Sequence, residues 1–352
     1  MALKKFIMKR WKLLLNLVTL AALAIFLFAI REQLVETFQE ITHVRWWALL
    51  FILPLLAWKY DTQARLYQGL FKIVGNKFSY RHMYETSLEL NFVNTVFPSG
   101  GVSGISYYGV RMRSDNVTAG KATLVQIMKL ALQFLSFEVL LALGLLFLAI
   151  GGDVNVFLFM LTVILATLLM VGTGLMAYIL AAQSRVEVFH KMLKNTANWL
   201  YKITHKGKPA KRYELTRVHF LLSELHDNYM TIRGEWKELK KPFMYALATN
   251  VAEILTIYAV YVAFGQFVNI GAVILAYSVA NFAGFVSVLP GGVGVYEFLM
   301  TTVLVAAGVP AGLSLSVTVM WRVLSTIIQL PPGYYFYHRT LRGGGNPTQE
   351  TG

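Results

Sequence analysis

Long apolar stretches separated by short polar ones dominate the hydrophobic pattern of this chain. Three of them, 13–30, 154–184 and 254–296, contain no Asp, Glu, Lys or Arg. A helix of about 20 apolar residues crosses the hydrocarbon core of a bilayer, which is about 30 Å thick. The stretch 254–296 is too long for one such helix. The pattern predicts membrane spans at about 13–30, 46–58, 122–150, 154–182, 242–264 and 312–337.

Two similar phrases interrupt the apolar pattern, NTVFPSGGVSG at 94–104 and FVSVLPGGVGVYE at 285–297. In each, a proline and a glycine pair follow an apolar run that opens with Asn-Phe. Proline stops an incoming helix, and glycine allows the positive φ angles of a tight turn. The phrases predict two re-entrant hairpins, at about 83–110 and 271–307. For the second, a full span over 272–289 remains an alternative, because this stretch is long enough to cross.

With these hairpins, each half of the chain has the order span, span, hairpin, span. The first half starts inside and the second outside, which is an inverted-topology repeat. Lys129 follows Pro98 by 31 residues and Arg322 follows Pro290 by 32, so each half also places one cation in its last span. We therefore expect an all-α polytopic membrane protein with repeats at 1–150 and 151–338 and a flexible tail at 339–352.

The charges define the predicted topology. The net charge is +14, with 56% hydrophobic and 14% charged residues. Of the 32 Lys and Arg residues, 28 lie before 13, in 59–82, 98–121 and 185–241, or after 338. The positive-inside rule then places both termini in the cytoplasm. The basic excess reflects topology, and no recognition module for nucleic acid accompanies it.

The segment 185–241 is predicted to be a basic cytoplasmic insertion. It holds 13 Lys or Arg residues, and its apolar residues recur at helical spacing. Helices of this kind lie along a membrane surface and interact with anionic headgroups of the inner leaflet. Recruitment of a substrate to the membrane is the alternative role.

Ionisable residues in the predicted spans and hairpins are the candidate functional groups, because each costs several kcal/mol in lipid unless paired or hydrated. The second half has three, Glu253, Glu297 and Arg322, and the first half has Glu89, Lys129 and Glu138. In one hypothesis the two hairpins line a midplane cavity, the cations receive a phosphate, and Glu253 and Glu297 exchange a proton or balance the cations. In the other, these residues form buried ion pairs that fix helix packing.

We expect three asparagines, Asn91, Asn250 and Asn281, to hydrogen-bond to the backbone of the hairpins. No phosphate-binding loop, zinc-protease motif or nucleophile elbow occurs in the sequence. Cysteine is absent, so disulfides and thiolate metal sites are excluded. We accordingly expect no catalytic residues, no metal ion and no cofactor.

Three motifs carry a family resemblance: LNFVNTVFPSGGVSG, LPGGVGVYE, and the Arg322 helix that ends in QLPPGYY. Together they resemble the lysylphosphatidylglycerol synthase transmembrane region family, also called flippase-like, over nearly the whole chain. In the bacterial multiple peptide resistance factors the similar region is held to translocate aminoacylated phospholipid, and archaeal relatives are associated with dolichol-linked sugar lipids. The soluble aminoacyl-transferase domain of the resistance factors has no counterpart here, so we expect no lipid lysylation.

The resemblance implies a lipid translocase of a prokaryotic cytoplasmic membrane, with membrane lipids as partners. The residues that it carries over are Pro98, Gly100, Gly101, Lys129, Pro290, Gly291, Gly292, Gly294, Glu297 and Arg322. We add Glu253 as a substrate-binding candidate from its position in a span. Two alternatives remain, a membrane enzyme that acts on lipid-linked headgroups and a scaffold for a separate lipid-modifying enzyme.

Overall fold

The structure is a computed structural model that describes residues 44–97, 102–113, 115–204, 234–281 and 294–343, with single positions at 28, 31, 32, 35, 39, 226, 229 and 230. Within these residues the regular structure is helical and contains no β-strand. The helices are α1 Ile52–Ile73, α2 Tyr80–Val96, α3 Val102–Arg113, α4 Ala119–Gly151, α5 Val156–Leu180, α6 Gln183–Thr204, α7 Lys240–Ala263, α8 Ile270–Ala280, α9 Val295–Ala306 and α10 Ala311–Gly343. A single turn at Trp46–Leu49 precedes α1, and a 3-10 turn at Trp236–Leu239 precedes α7.

Four helices are long and apolar enough to cross a membrane. They cover Gly120–Gly151, Val156–Leu180, Trp236–Ala263 and Ala311–Leu341. The predicted spans at 122–150, 154–182, 242–264 and 312–337 are thereby confirmed, whereas the span predicted at 13–30 lies outside the described residues. On α5 the apolar side chains mostly face outward, as a lipid-facing helix requires. The chain is an all-helical, multi-pass membrane protein.

Helix α1 differs from its prediction. Hydropathy ends the second span at 58, but the helix continues to Ile73 and includes Lys59 and Asp61. It packs along α7, where the buried Oγ1 atoms of Thr62 and Thr249 lie 2.9 Å apart. Polar residues are tolerated here because other helices satisfy them, which local hydropathy does not register.

The two predicted hairpin regions contain four short helices. Helices α2 and α3 have 17 and 12 residues, and α8 and α9 have 11 and 12. Apart from α2, they are much shorter than a membrane span. Gly104 of α3 lies directly against the Asn94 side chain of α2, so these two helices pack closely. The connecting residues, 98–101 and 282–293, lie outside the described residues.

Close helix contacts cross between the two halves of the chain. A Cβ atom on Gly271 of α8 would collide with the Gly144 carbonyl of α4 and lie 2.8 Å from the Leu148 nitrogen. A Cβ atom on Gly333 of α10 would lie 2.9 Å from the Leu88 carbonyl oxygen of α2. Small residues thus let backbones meet at both places. The short α8 packs on the long helix of the first half, and the short α2 packs on that of the second.

Candidate functional site

Two buried ion pairs join different helices of the bundle. Lys59 of α1 pairs with Glu253 of α7, with side chains 11% and 12% exposed. Arg322 of α10 pairs with Glu297 of α9, with side chains 15% and 5% exposed. Two cations and two carboxylates therefore sit in the helix bundle with no net charge. Such pairing is what allows ionised groups to persist at membrane depth.

Gln329 of α10 connects the first pair to two other helices. Its Oε1 atom accepts hydrogen bonds from Lys59 Nζ at 3.1 Å, Tyr60 OH at 2.7 Å and Asn91 Nδ2 at 3.2 Å. The acceptor atom is thereby surrounded by donors from α1 and α2. One amide oxygen orients the Lys59 ammonium that also faces Glu253.

Glu297 makes a second contact that explains part of the sequence motif around it. Its Oε2 atom accepts a hydrogen bond of 2.7 Å from the backbone N–H of Gly294, the residue before α9. Gly294 has a φ angle of 85°, a left-handed conformation that favours glycine. The spacing of Gly294 and Glu297 is therefore that of a helix cap, and the cap holds the carboxylate in place for Arg322.

A polar cavity of about 130 Å³ lies beside Lys59, Glu253 and Arg322 of the two ion pairs, between the C-terminal part of α2 and the middle of α10. It is large enough for several water molecules. Its walls come from α1, α2, α7 and α10. The residues that line it are Lys59, Asn91, Thr95, Glu253, Trp321, Arg322, Ser325, Thr326, Gln329 and Leu330.

Three lining residues have buried polar atoms without a hydrogen-bond partner. They are Glu253 Oε2, Trp321 Nε1 and Ser325 Oγ. Buried polar atoms are normally hydrogen-bonded, and a buried polar atom without a partner lowers stability by about 1–3 kcal/mol. Two potential donors and one carboxylate acceptor thus belong to residues that line a single cavity. This combination suits an occupant with hydrogen-bonding groups of both kinds, whether water or part of a ligand.

The structure brings together some of the predicted site residues. Glu253 and Arg322 line the cavity, and Glu297 contacts Arg322. Lys129 does not line the cavity, and its Nζ atom lies 5.5 Å from the ring centre of Tyr67. The other predicted site residues lie outside the described residues: Pro98, Gly100, Gly101, Pro290, Gly291 and Gly292.

The three asparagines have different partners. Asn91 binds Gln329, whereas Asn250 Nδ2 donates to Ser136 Oγ at 2.9 Å. Asn281 Nδ2 donates to the Tyr277 carbonyl of its own helix at 2.7 Å. A bond to the backbone is expected for all three asparagines, and among these bonds only that of Asn281 is of this kind. Asn91 belongs instead to the cavity wall.

Glu89 illustrates how a buried carboxylate looks when its role is structural. Its oxygens accept from Tyr107 OH at 2.7 Å, Arg111 Nε at 3.1 Å and Thr340 Oγ1 at 2.7 Å. These bonds join α2, α3 and the end of α10. Neither oxygen is left without a partner, in contrast to Glu253 at the cavity.

The sequence pattern does not predict several cavity residues. It places Lys59 among the cytoplasmic flanking charges, and it does not distinguish Gln329, Trp321 and Ser325 from other residues of the spans. For Lys59 the sequence does offer an indication of burial, because this residue directly follows the predicted span 46–58. For the others no local signal exists, because polar and aromatic residues in spans are common.

The chain is similar in sequence to known membrane proteins. Residues 13–333 match the family described as lysylphosphatidylglycerol synthase TM region. The chain belongs to this family. A UPF0104 membrane protein of Methanothermobacter thermautotrophicus is 37% identical over 83 residues, 24% of this chain and 25% of the relative. A UPF0104 membrane protein of Pyrococcus horikoshii is 25% identical over 123 residues, 35% of this chain and 34% of the relative. Thus the aligned regions span about a quarter to a third of these relatives.

Proposed function

We propose that the protein is a lipid translocase, a flippase or scramblase that moves a polar-headgroup lipid across the membrane. The observation that carries this proposal is the polar cavity beside two ion pairs inside an apolar helix bundle. Hydrophilic groups placed at this depth are costly, and they typically mark a substrate or ion pathway. The headgroup would cross through the cavity while the lipid chains stay in the bilayer.

The cavity chemistry suits a phosphate-bearing headgroup. Lys59 and Arg322 supply positive charge, and Ser325 and Trp321 supply hydrogen-bond donors without partners. Glu253 Oε2 would accept from a hydroxyl or ammonium group of the same headgroup. Aminoacylated phospholipids and polyprenyl-linked sugar lipids both fit this description. At about 130 Å³ the cavity is smaller than most ligand pockets, so passage requires it to widen.

We infer that the chain is an inverted-topology repeat, with α2 and α3 in one re-entrant hairpin and α8 and α9 in the other. The reciprocal packing supports this inference, since α8 contacts α4 through Gly271 and α2 contacts α10 through Gly333. A two-fold axis in the membrane plane would exchange these contacts. Such repeats place substrate sites at their interface. The cavity lies at that interface, with walls from α1 and α2 and from α7 and α10.

The proposed setting is the cytoplasmic membrane of a prokaryote, with both termini in the cytoplasm. The basic insertion at 185–241 would then lie on anionic headgroups of the inner leaflet. Helix α6 begins this insertion and combines exposed Val188 and Met192 with exposed Lys191. An amphipathic helix of this kind binds a membrane surface through both apolar and basic side chains.

Purified protein in liposomes tests the proposed function. Transport is measured with three tail-labelled probes, phosphatidylglycerol, its lysyl ester and a polyprenyl-phosphate sugar, by their accessibility to an added quencher. We expect accelerated exchange of at least one probe, its loss in Arg322→Gln, and its retention in Arg113→Gln, an exposed arginine of α3. Chemical conversion of a probe would favour the alternative that the protein is a membrane enzyme acting on lipid-linked headgroups. Failure to move any probe would favour the alternative that it is a scaffold for a separate lipid-modifying enzyme.

A further inference from the structure

A second depression, about 620 Å³, opens on the side of the bundle between α1, α2 and α10. We call it the lateral groove. It is lined by Trp58 and Asp61 of α1, Tyr80 and Tyr84 of α2, and Phe336 of α10, among others. These are the same helices that, with α7, form the walls of the cavity. The groove lies toward the end of the bundle where α2 begins and α10 ends.

The groove combines apolar and charged surface. Trp58 and Tyr80 are each 39% exposed, so their rings face the surroundings. Asp61 accepts hydrogen bonds from Tyr80 OH at 2.8 Å and from Arg65 Nε at 3.0 Å. Exposed Trp and Tyr rings beside charged groups are typical of the depth where lipid tails meet headgroups.

One arginine gives the groove a cation at its rim. Arg81 pairs with Glu85 at 3.0 Å, and its side chain is 73% exposed. Guanidinium groups bind phosphate through paired N–H donors. A phospholipid fits this combination, with its phosphate beside Arg81 and its chains along the rings of Trp58 and Phe336.

One buried side chain, Tyr60, contacts wall residues of both the groove and the cavity. The Tyr60 ring lies 6.2 Å from that of Tyr84, which lines the groove. The Tyr60 hydroxyl donates to Gln329, which lines the cavity, at 2.7 Å. Tyr60 thus touches one wall residue of each space. Aromatic side chains change rotamer without movement of their helix backbone.

We propose that the lateral groove admits a phospholipid from the leaflet at this end of the bundle, with Tyr60 and Tyr84 as the gate to the cavity. This inference rests on the proposed function and adds the route by which the headgroup enters. The lipid chains remain between α1 and α10 on the membrane side, so only the headgroup passes the gate.

The natural absence of cysteine allows the groove to be closed reversibly. Cysteines at Ala57 and Phe336, on its two sides, are joined by a reducible bifunctional thiol reagent in proteoliposomes with tail-labelled phosphatidylglycerol. Transport is expected to fall to the rate of protein-free liposomes and to recover on reduction. The two single-cysteine variants, treated identically, give the transport rates with which the cross-linked protein is compared. Persistent transport by the fully cross-linked protein would overturn the groove as the route.

A binding measurement decides the proposal independently of transport. A photoreactive phosphatidylglycerol with a diazirine in its chain is cross-linked to the protein, and adducts are mapped by mass spectrometry. Adducts near Trp58 and Phe336 should decline when unlabelled lipid is added, whereas those on lipid-facing α5 should decline only by dilution. Equal behaviour at both places would overturn the groove as a binding site. If the natural protein, without introduced cysteines or cross-links, transports no lipid, the proposed function itself is overturned.

Discussion

At the scale of single residues, the central question is whether the buried charges serve structure or transport. Arg322 both lines the cavity and pairs with Glu297, while Glu297 also caps α9. Removing one partner of a buried pair leaves the other charge uncompensated. The two roles are therefore expected to appear together in the same variants, and stability and transport must be measured separately.

A double-mutant cycle on this pair separates the roles. Glu297→Gln and Arg322→Gln should each lower the free energy of unfolding by about 3–5 kcal/mol, because each strands a buried charge. The double variant should recover part of this stability, as coupled residues do. It should still transport no lipid, since the cavity has lost its guanidinium. Thermal unfolding and liposome transport of the three variants check this, and transport by the double variant would assign the pair to packing alone.

Ser325 offers a sharper test, because its hydroxyl oxygen lacks a partner in the structure. Removing an unpaired buried polar atom costs little stability. Ser325→Ala should therefore unfold at or above the temperature of the natural protein and yet transport lipid more slowly. Ser314→Ala is the matched control, since Ser314 is a buried serine of the same helix that does not line the cavity. Equal transport by the two variants would remove Ser325 from the site.

At the scale of helices, close backbone contacts at glycine hold the two halves together. Gly271→Ala would press a methyl group into the Gly144 carbonyl, whereas Gly172 on α5 has open space around it. Overpacking of this kind costs about 1–3 kcal/mol. Thermal unfolding should show a marked loss of stability for Gly271→Ala and no loss of stability for Gly172→Ala. A Gly271→Ala protein as stable as the natural one would mean that α4 and α8 are not in backbone contact.

Hydropathy predicts the long helices well and the site only in part. Each of the four confirmed spans contains a strongly apolar window with few charges, so local sequence suffices for them. Helix α1 was predicted too short because Lys59 is paired with Glu253, 194 residues away, and with Gln329, 270 residues away. Pairing at such distances is decided by tertiary packing. Glu253, Glu297 and Arg322 were found because a lone charge inside an apolar span is conspicuous by itself.

At the scale of the whole molecule, the inverted repeat makes a prediction about sidedness. Cysteines introduced at Ser99 and Gly292 should react with an impermeant thiol reagent from opposite sides of the membrane, the first from the cytoplasm. The reason is that each hairpin would enter the membrane from a different face. Labelling in right-side-out and inside-out vesicles measures this, with a cysteine at Asp153 as the marker for the outer side. Reaction of both hairpins from one side would rule out the inverted repeat.

The central claim is that a lipid headgroup passes through the cavity, and Thr326 allows a direct test. Thr326→Cys changes a cavity-lining side chain little in size, and the chain has no other cysteine. Arg113→Cys, at the exposed end of α3, is the control. Both variants are assayed for lipid exchange in liposomes before and after complete modification by a charged thiol reagent, verified by mass. The account predicts that modification stops exchange for Thr326→Cys alone, and that transportable lipid slows the modification. Undiminished exchange by fully modified Thr326→Cys would contradict it.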